Sequence, residues 1–277
     1  MLPVMLVMLC VLTLIAYASA VESRGRLLTV SFLDVGQGDS IFIDAPSGRQ
    51  VLIDGGPGSS VLRELARVSP WYDRSIDMVV ATHPDADHIE GLIEVLARYD
   101  IGMIVSTSAL GETELAETFT RRAENEGAIL VSAQRGQRID LGGGAWLEIL
   151  FPDRPVPGLE TNVGCVVTRL TYGATAFMLP CDAPDEIEEY LVRLDGERQR
   201  SQVLKAAHHG SKTSSSAVFV GAVAPEYAVF SRGCDNSYGH PSQETVATFA
   251  RFGVPMLDTC KEGTITFVSD GQSVSRR

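Results

Sequence analysis

The sequence predicts an α/β fold built in layers on two β-sheets. Short β-branched and aromatic runs alternate with amphipathic stretches along the whole chain. The alternation occurs twice, before and after position 127, and no low-complexity linker separates the halves. Hydrophobic residues make up 45% and charged residues 21% of 277 positions, which suits one large globular domain and excludes a disordered or disulfide-dense chain.

The elements follow in order. "LLTVSFLDVG" and "DSIFIDA" read as strands joined through Gly-Gln-Gly, and "RQVLIDGG" follows a turn at Pro46-Ser47-Gly48. "SSVLRELARV" has helical spacing, with Ser59 or Ser60 as its cap. "DMVVATH" is a continuous apolar strand delivering His83, and a helix is expected from about Glu90 through "EGLIEVLARY". "IGMIVS" is a buried strand, and "ETELAETFTRRAENEG" a helix ended by Gly127. "AILVSAQRGQRIDLGGGAWLEILFP" is again strands and turns, and "VGCVVTRLTYGATAFMLPCD" a hairpin turning at Gly173. "APDEIEEYLVRL", "SSAVFVGAVA" and "SQETVATFARFG" are helical; "SQVLKAAHHG", "PEYAVFS" and "GTITFVS" are strands, the last closing the chain.

Residues 1–20 are a signal peptide or membrane anchor, or the remnant of a longer membrane protein, and residues 21–277 the domain. The chain is apolar from Leu2 to Ala18 and then reads Ala18-Ser19-Ala20, a small-x-small cleavage pattern. Against cleavage, no Lys or Arg precedes the apolar run, and the run exceeds the usual core of roughly 7–15 residues. If retained, it just reaches across a bilayer, and Arg24 and Arg26 favour a cytoplasmic side after it. The expectation is an exported protein, periplasmic or extracellular, or one anchored to the membrane. Lys+Arg is 23 and Asp+Glu 35, a net charge of −12 carried wholly beyond residue 21. That field repels phosphate backbones and suits cation binding.

Of the cysteines after Cys10, none is spaced Cys-x-x-Cys, which excludes a zinc knuckle. Cys165 and Cys181 are symmetric about Gly173 and face each other across the hairpin, leaving Cys234 with Cys260. Four unpaired buried thiols are the alternative.

"ATHPDADHIEGL" places His83, Asp85, Asp87 and His88 on six positions after a strand. Imidazole nitrogen and carboxylate oxygen are ligands that zinc, manganese and iron share. A capped helix with a solvated acidic loop is the alternative.

This segment, together with "FLDVGQGDSIFI", "VLIDGG", "LKAAHHGSKTSSS" and "NSYGHP", resembles the metallo-β-lactamase superfamily, and within it the stand-alone ComEC-type competence (DNA internalisation) hydrolase domain. The resemblance runs from about Leu28 to Val268. It implies the four-layer αββα fold, two mixed sheets sandwiched by helices, and two divalent metal ions, zinc or manganese. His83 and Asp85 would serve one ion, Asp87 and His88 the other, and Asp182 would bridge both. His208 or His209 would close the second site; strand alternation puts them on opposite faces. Asp54 corresponds to an acid that braces the metal loop, with Asn162 nearby; Asp34, Gln37 and Asp39 join it around the ligands or only fix a hairpin.

The pattern departs from the family at three places. Thr161-Asn162 stands where the third-motif histidine is expected, Cys181 stands where glycine precedes the aspartate, and Glu90 where Gly-Gly follows Asp-His. The first site is therefore poorer in nitrogen, which favours manganese or a labile zinc.

The implied chemistry is phosphodiester hydrolysis. Two ions roughly 3.5–4 Å apart activate a hydroxide and stabilise attacking and leaving oxygens. Asp87, His240 and Lys212 are the candidate catalytic groups, with His240, Lys212 or Ser211 serving the leaving oxygen. Ser211, Lys212 and Ser214, at a helix start with free N–H groups, would bind phosphate. DNA or another phosphodiester is the expected substrate. Hydrolysis of another exported compound (a lactone, a β-lactam or an envelope phosphodiester) is a second reading, and a weakly active or inactive binding domain of DNA uptake a third.

Overall fold

The computed structural model describes Met8, Cys10, Leu12, Thr13 and residues 27–277 except 71, 110 and 112. The expectations for residues 1–20 lie outside this set apart from those four positions. Among the described residues no helix is long and apolar enough to cross a membrane.

Fifteen strands are described. β1 (Leu28–Phe32), β2 (Ile41–Asp44), β3 (Gln50–Ile53), β4 (Ser75–Ala81), β5 (Asp100–Ser106) and β6 (Ile129–Ser132) build the first sheet together with β14 (Ile265–Ser269) and β15 (Val274–Arg276). The second sheet holds β7 (Arg138–Gly142), β8 (Ala145–Phe151), β9 (Val167–Tyr172), β10 (Thr175–Leu179), β11 (Val203–Lys205), β12 (Tyr227–Phe230) and β13 (Met256–Asp258). Their orders are β15-β14-β1-β2-β3-β4-β5-β6 and β13-β12-β11-β10-β9-β8-β7. Each sheet is antiparallel over one half and parallel over the other: β3 to β6 run parallel, as do β10 to β13. Both are therefore mixed, as expected.

Side-chain alternation sorts the layers. Met78 and Val80 of β4 point between the sheets, where they meet Phe32, Ile43, Leu147, Leu170, Phe177 and Phe267. Val79 and Ala81 point outward against α1 (Ser60–Val68), α2 (Ala86–Leu96) and α3 (Glu114–Asn125). On the far side Met178 and Leu204 meet α4 (Asp185–Asp195), α5 (Ala217–Val223) and α6 (Gln243–Arg251) through Leu191, Phe219 and Phe249. Strands covered on both faces must be apolar throughout, which is why "DMVVATH" shows no polar alternation. The architecture is αββα.

Several local expectations change. α2 begins at Ala86, four residues early, because the N–H groups of His88 and Ile89 already close on the Asp85 carbonyl at 3.0 Å. Asp87 and His88 thus stand on the first helical turn. Neither Ser59 nor Ser60 caps α1 with its side chain; the Ser60 hydroxyl donates to the carbonyls of Val35 and Pro57. "GTITFVS" is not the last strand, since β15 returns antiparallel beside it. The hairpin turns at Gly173 with Tyr172 opposite Thr175, and disulfides join Cys165 to Cys181 and Cys234 to Cys260.

Candidate metal centre

The chemistry-bearing residues gather where the parallel strands of both sheets end. Asp54 follows β3, Thr82 and His83 follow β4, Asp182 follows β10, and Lys205 ends β11. Parallel strands discharge their loops at one edge, so residues far apart in sequence meet there.

Asp182 is the meeting point. Its Oδ2 lies 3.4 Å from His88 Nε2, 3.3 Å from His209 Nε2 and 3.7 Å from His208 Nε2. Asp87 Oδ2 approaches His209 Nε2 at 3.3 Å from the opposite side. Donor atoms of His83, His88 and Asp182 lie within 4.8 Å of one another, as do those of Asp87, His88 and His209.

Each ring is turned by a second contact. Asp54, in the left-handed region at φ 57°, accepts from the Thr82 N–H (2.9 Å) and hydroxyl (2.6 Å) and pairs with His88 Nδ1 at 2.8 Å. His209 Nδ1 bonds the Ser231 carbonyl at 2.9 Å, and His83 Nδ1 the Thr82 hydroxyl at 3.0 Å. With their Nδ1 atoms engaged, the Nε2 atoms of His83, His88 and His209 are buried and have no hydrogen-bond partner. A buried donor or acceptor left unpaired is costly. Three such nitrogens turned toward carboxylates fit a divalent cation held by imidazole and carboxylate.

The charges agree with that fit. Burial penalises the His88 imidazolium, yet Asp182 and Asp54 outweigh it and hold the ring well above the ordinary imidazole range. For His209, burial is likewise outweighed, by Asp182 and Asp39. His83, buried and repelled by His88, falls well below that range. Burial would raise the Asp182 carboxyl, but His209, His88 and Lys205 hold it well below its usual value. Protons on His88 and His209 thus balance the carboxylates, and a divalent cation would take their place.

The remaining expected residues divide. Asp85, as the N-cap of α2, makes no capping bond; its carboxylate sits 3.7 Å from His83 Nε2 and bonds Thr161, and burial raises its pKa. Asn162 is on the adjacent turn with a buried, unpartnered Oδ1. Asp39 is 3.5 Å from His209 Nδ1, and its N–H donates to the Asp87 carbonyl. Gln37 accepts from the Gly233 N–H, tying its loop to the one carrying His240. Asp34 is half-buried and holds Thr264 through its N–H, away from the cluster's contacts.

His208 and His209 do not alternate along a strand. β11 ends at Lys205, and the pair lies in a turn at φ 49° and 54°, so the rings diverge by 80°. His209 is fully buried, while the His208 side chain is 28% exposed at the mouth. His240 stands outside it, 5.8 Å ring to ring from His208, its Nδ1 buried and unpartnered. The exposed Tyr238 ring stacks on it at 5.6 Å. Asn236 holds the His240 backbone at both N–H and carbonyl.

The serine run does not offer the free N–H groups expected of it: that of Ser211 donates to the His208 carbonyl at 2.8 Å and that of Ser214 to the Ser211 carbonyl at 3.3 Å. The N–H groups of Ser215 and Ser216 are taken by the carboxylate of buried Glu188, each at 2.7 Å, and the Ser216 hydroxyl caps α5. Ser211 bonds Thr213; only the Ser214 hydroxyl is left unpaired, and it is buried. Lys212 is exposed. The lysine inside the centre is Lys205, which the motif reading missed. It pairs with Asp39, lies 3.3 Å from Asp182 Oδ1 and donates to the Cys181 carbonyl at 3.0 Å. A charge at the end of the apolar run "SQVLK" was the available signal. Glu90, unusual in sequence, accepts from the Gly58 N–H and so secures the loop after Asp54.

Fold and site define the class, and sequence comparison agrees: the profile of the metallo-beta-lactamase superfamily matches residues 33–231, and the chain belongs to that family. Within it, the chain is similar to one region of larger competence-type proteins. It is 27% identical over 260 residues to ComE operon protein 3 of Bacillus subtilis (strain 168), covering 86% of this chain and 32% of that protein. It is 32% identical over 242 residues to competence protein ComA of Neisseria gonorrhoeae, again covering 86% and 32%. The chain thus spans about a third of the length of these relatives. Among solved structures, CmlA, a diiron beta-hydroxylase from Streptomyces venezuelae, shares the fold at TM-score 0.56 and 13% identity, over 90% of this chain and 54% of its own.

Proposed function

We propose that the chain is a metal-dependent hydrolase of phosphodiesters, with DNA as substrate in the context of competence. The observation that carries it is the convergence of three unpartnered imidazole Nε2 atoms on Asp182 and Asp87 at an open edge of the sandwich. Relatives named for competence supply the substrate class.

His83, His88, His209, Asp87 and Asp182 would hold the cation or cations, zinc or manganese, with Asp85 on the open side of His83. The metal would supply Lewis acidity toward water and phosphoryl oxygens. Asp54 fixes the tautomer of His88, and Lys205 occupies Asp182 Oδ1 so that Oδ2 is the oxygen turned to the histidines. Burial and then His208 lower the His240 pKa, which favours the neutral ring; His240 would serve the leaving oxygen by donating a hydrogen bond.

Purified protein with manganese or zinc is expected to cleave single-stranded DNA or bis-p-nitrophenyl phosphate. The double change Asp87→Ala, His88→Ala should abolish cleavage with the fold retained; an unchanged rate would place the centre elsewhere. The net charge of −12 favours a second reading, an exported phosphodiester smaller than DNA. A substrate panel separates the two by kcat/KM.

A further inference from the structure

We propose that the Cys165–Cys181 disulfide is a positioning brace of the metal centre, joining the donor groups of one sheet to those of the other. This rests on the reading of the centre as a metal site.

Cys181 immediately precedes Asp182 and sits in the left-handed region at φ 49°, where a residue other than glycine needs its surroundings to hold it. Its carbonyl receives the Lys205 ammonium (3.0 Å) and the His208 N–H (3.1 Å). The backbone of Cys181 therefore organises the groups contributed by the second sheet: Asp182, Lys205 and the turn of His208 and His209.

Cys165 lies among contacts to the first sheet. The N–H of its neighbour Val166 donates to the Thr82 carbonyl at 3.0 Å, one residue before His83. The preceding carbonyl, of Gly164, accepts from the Thr107 hydroxyl at 2.6 Å. The turn leading into it carries Thr161, which bonds the Asp85 carboxylate, and Asn162, whose carbonyl accepts the Cys165 N–H. The bridge thus connects the loop of His83 and Asp85 with the loop of Asp182. Both cysteines are buried, at 0% and 4% exposure.

This also accounts for cysteine at the position before Asp182. A glycine reaches φ 49° without strain but fixes nothing beyond its own backbone. A bridged cysteine accepts the strained conformation and anchors the aspartate to the opposite loop. The second disulfide differs: neither Cys234 nor Cys260 adjoins a donor group, and its bridge ties the rim loop to α7 (Thr259–Glu262).

The test is the affinity of the full protein for manganese and zinc, measured with a competing chelator dye alongside far-UV circular dichroism and metal-free Tm. C165A/C181A is expected to bind at least about tenfold more weakly, the range seen when groups orienting metal ligands are lost. C234A/C260A is expected to stay within about twofold of wild type. Wild-type affinity in C165A/C181A, or an equal loss in both pairs, overturns the proposal. Should C165A/C181A not fold, C165A alone decides by the same outcomes, since it breaks the bridge and leaves the Cys181 sulfur beside Asp182. A wild-type protein that binds no cation fails the reading of the centre itself, a result distinct from equal binding in wild type and variant.

Discussion

His208 and His209 show how much one residue's backbone decides. Adjacent and chemically identical, they occupy left-handed conformations that send one ring to the buried donor cluster and the other to its mouth. We expect His209→Ala to lose cation stoichiometry by elemental analysis, whereas His208→Ala retains it; the reverse pattern would exchange their roles. Glu188 makes a different case, a carboxyl shut beneath α5. Burial pushes its pKa up to about 8 against the pull of the Ser216 and Ser215 N–H donors. The folded pKa lies above the ordinary value, so this group's contribution to stability is complete below the usual carboxylate range and is lost as pH rises through about 8. Between about pH 5 and 8, Tm should therefore fall more steeply in wild type than in Glu188→Gln. Parallel curves would remove Glu188 as the cause.

Among the elements, α2 sets the geometry of the centre, because its first turn carries Asp87 and His88 while its N-cap, Asp85, faces His83. The helix is locked to the loop after β3 by backbone contacts. The Gly55 N–H donates to the His88 carbonyl at 2.7 Å, and the Gly91 N–H to the Gly56 carbonyl at 2.8 Å. A Cβ at Gly91 would run into the backbone of Gly55. The obstruction is main chain, so a side chain cannot move aside to relieve it. Gly91→Ala is expected to cost about 1–3 kcal/mol of stability, the range of overpacked sites. It should also weaken metal binding by shifting His88 relative to Asp54. Denaturant unfolding with and without added cation measures both effects, and a variant as stable as wild type would show that α2 has room to move.

Over the whole molecule the centre is an edge at which two half-parallel sheets end, so a cation held there would link them. A ligand that binds only the folded state stabilises it by mass action, about 2.7 kcal/mol at one hundred times Kd. Chelation should therefore lower the Tm of wild type, and the shift should largely vanish in Asp87→Asn, which removes one charge from the open side of the cluster. A chelator shift of the same size in that variant would mean that Asp87 lies outside the coordination sphere.

The order of strands and helices was readable because apolar periodicity reports burial directly: the C-terminal half of β4, Met78 to Ala81, is apolar and buried on both faces, and α3 ends just before Gly127, which takes a positive φ. The sequence also named residues that the fold brings together, since donor atoms of His83, Asp87, His88, Asp182 and His209 gather at one edge. What the linear chain left open is where side chains point. The start of α2, the choice between His208 and His209, the occupation of the serine-run amides by Glu188 and the entry of Lys205 rather than Lys212 all depend on contacts between segments distant in sequence. Composition and periodicity record how buried a residue is. Orientation at a junction of two sheets is decided by backbone conformations and hydrogen bonds that exist only once both sheets are in place.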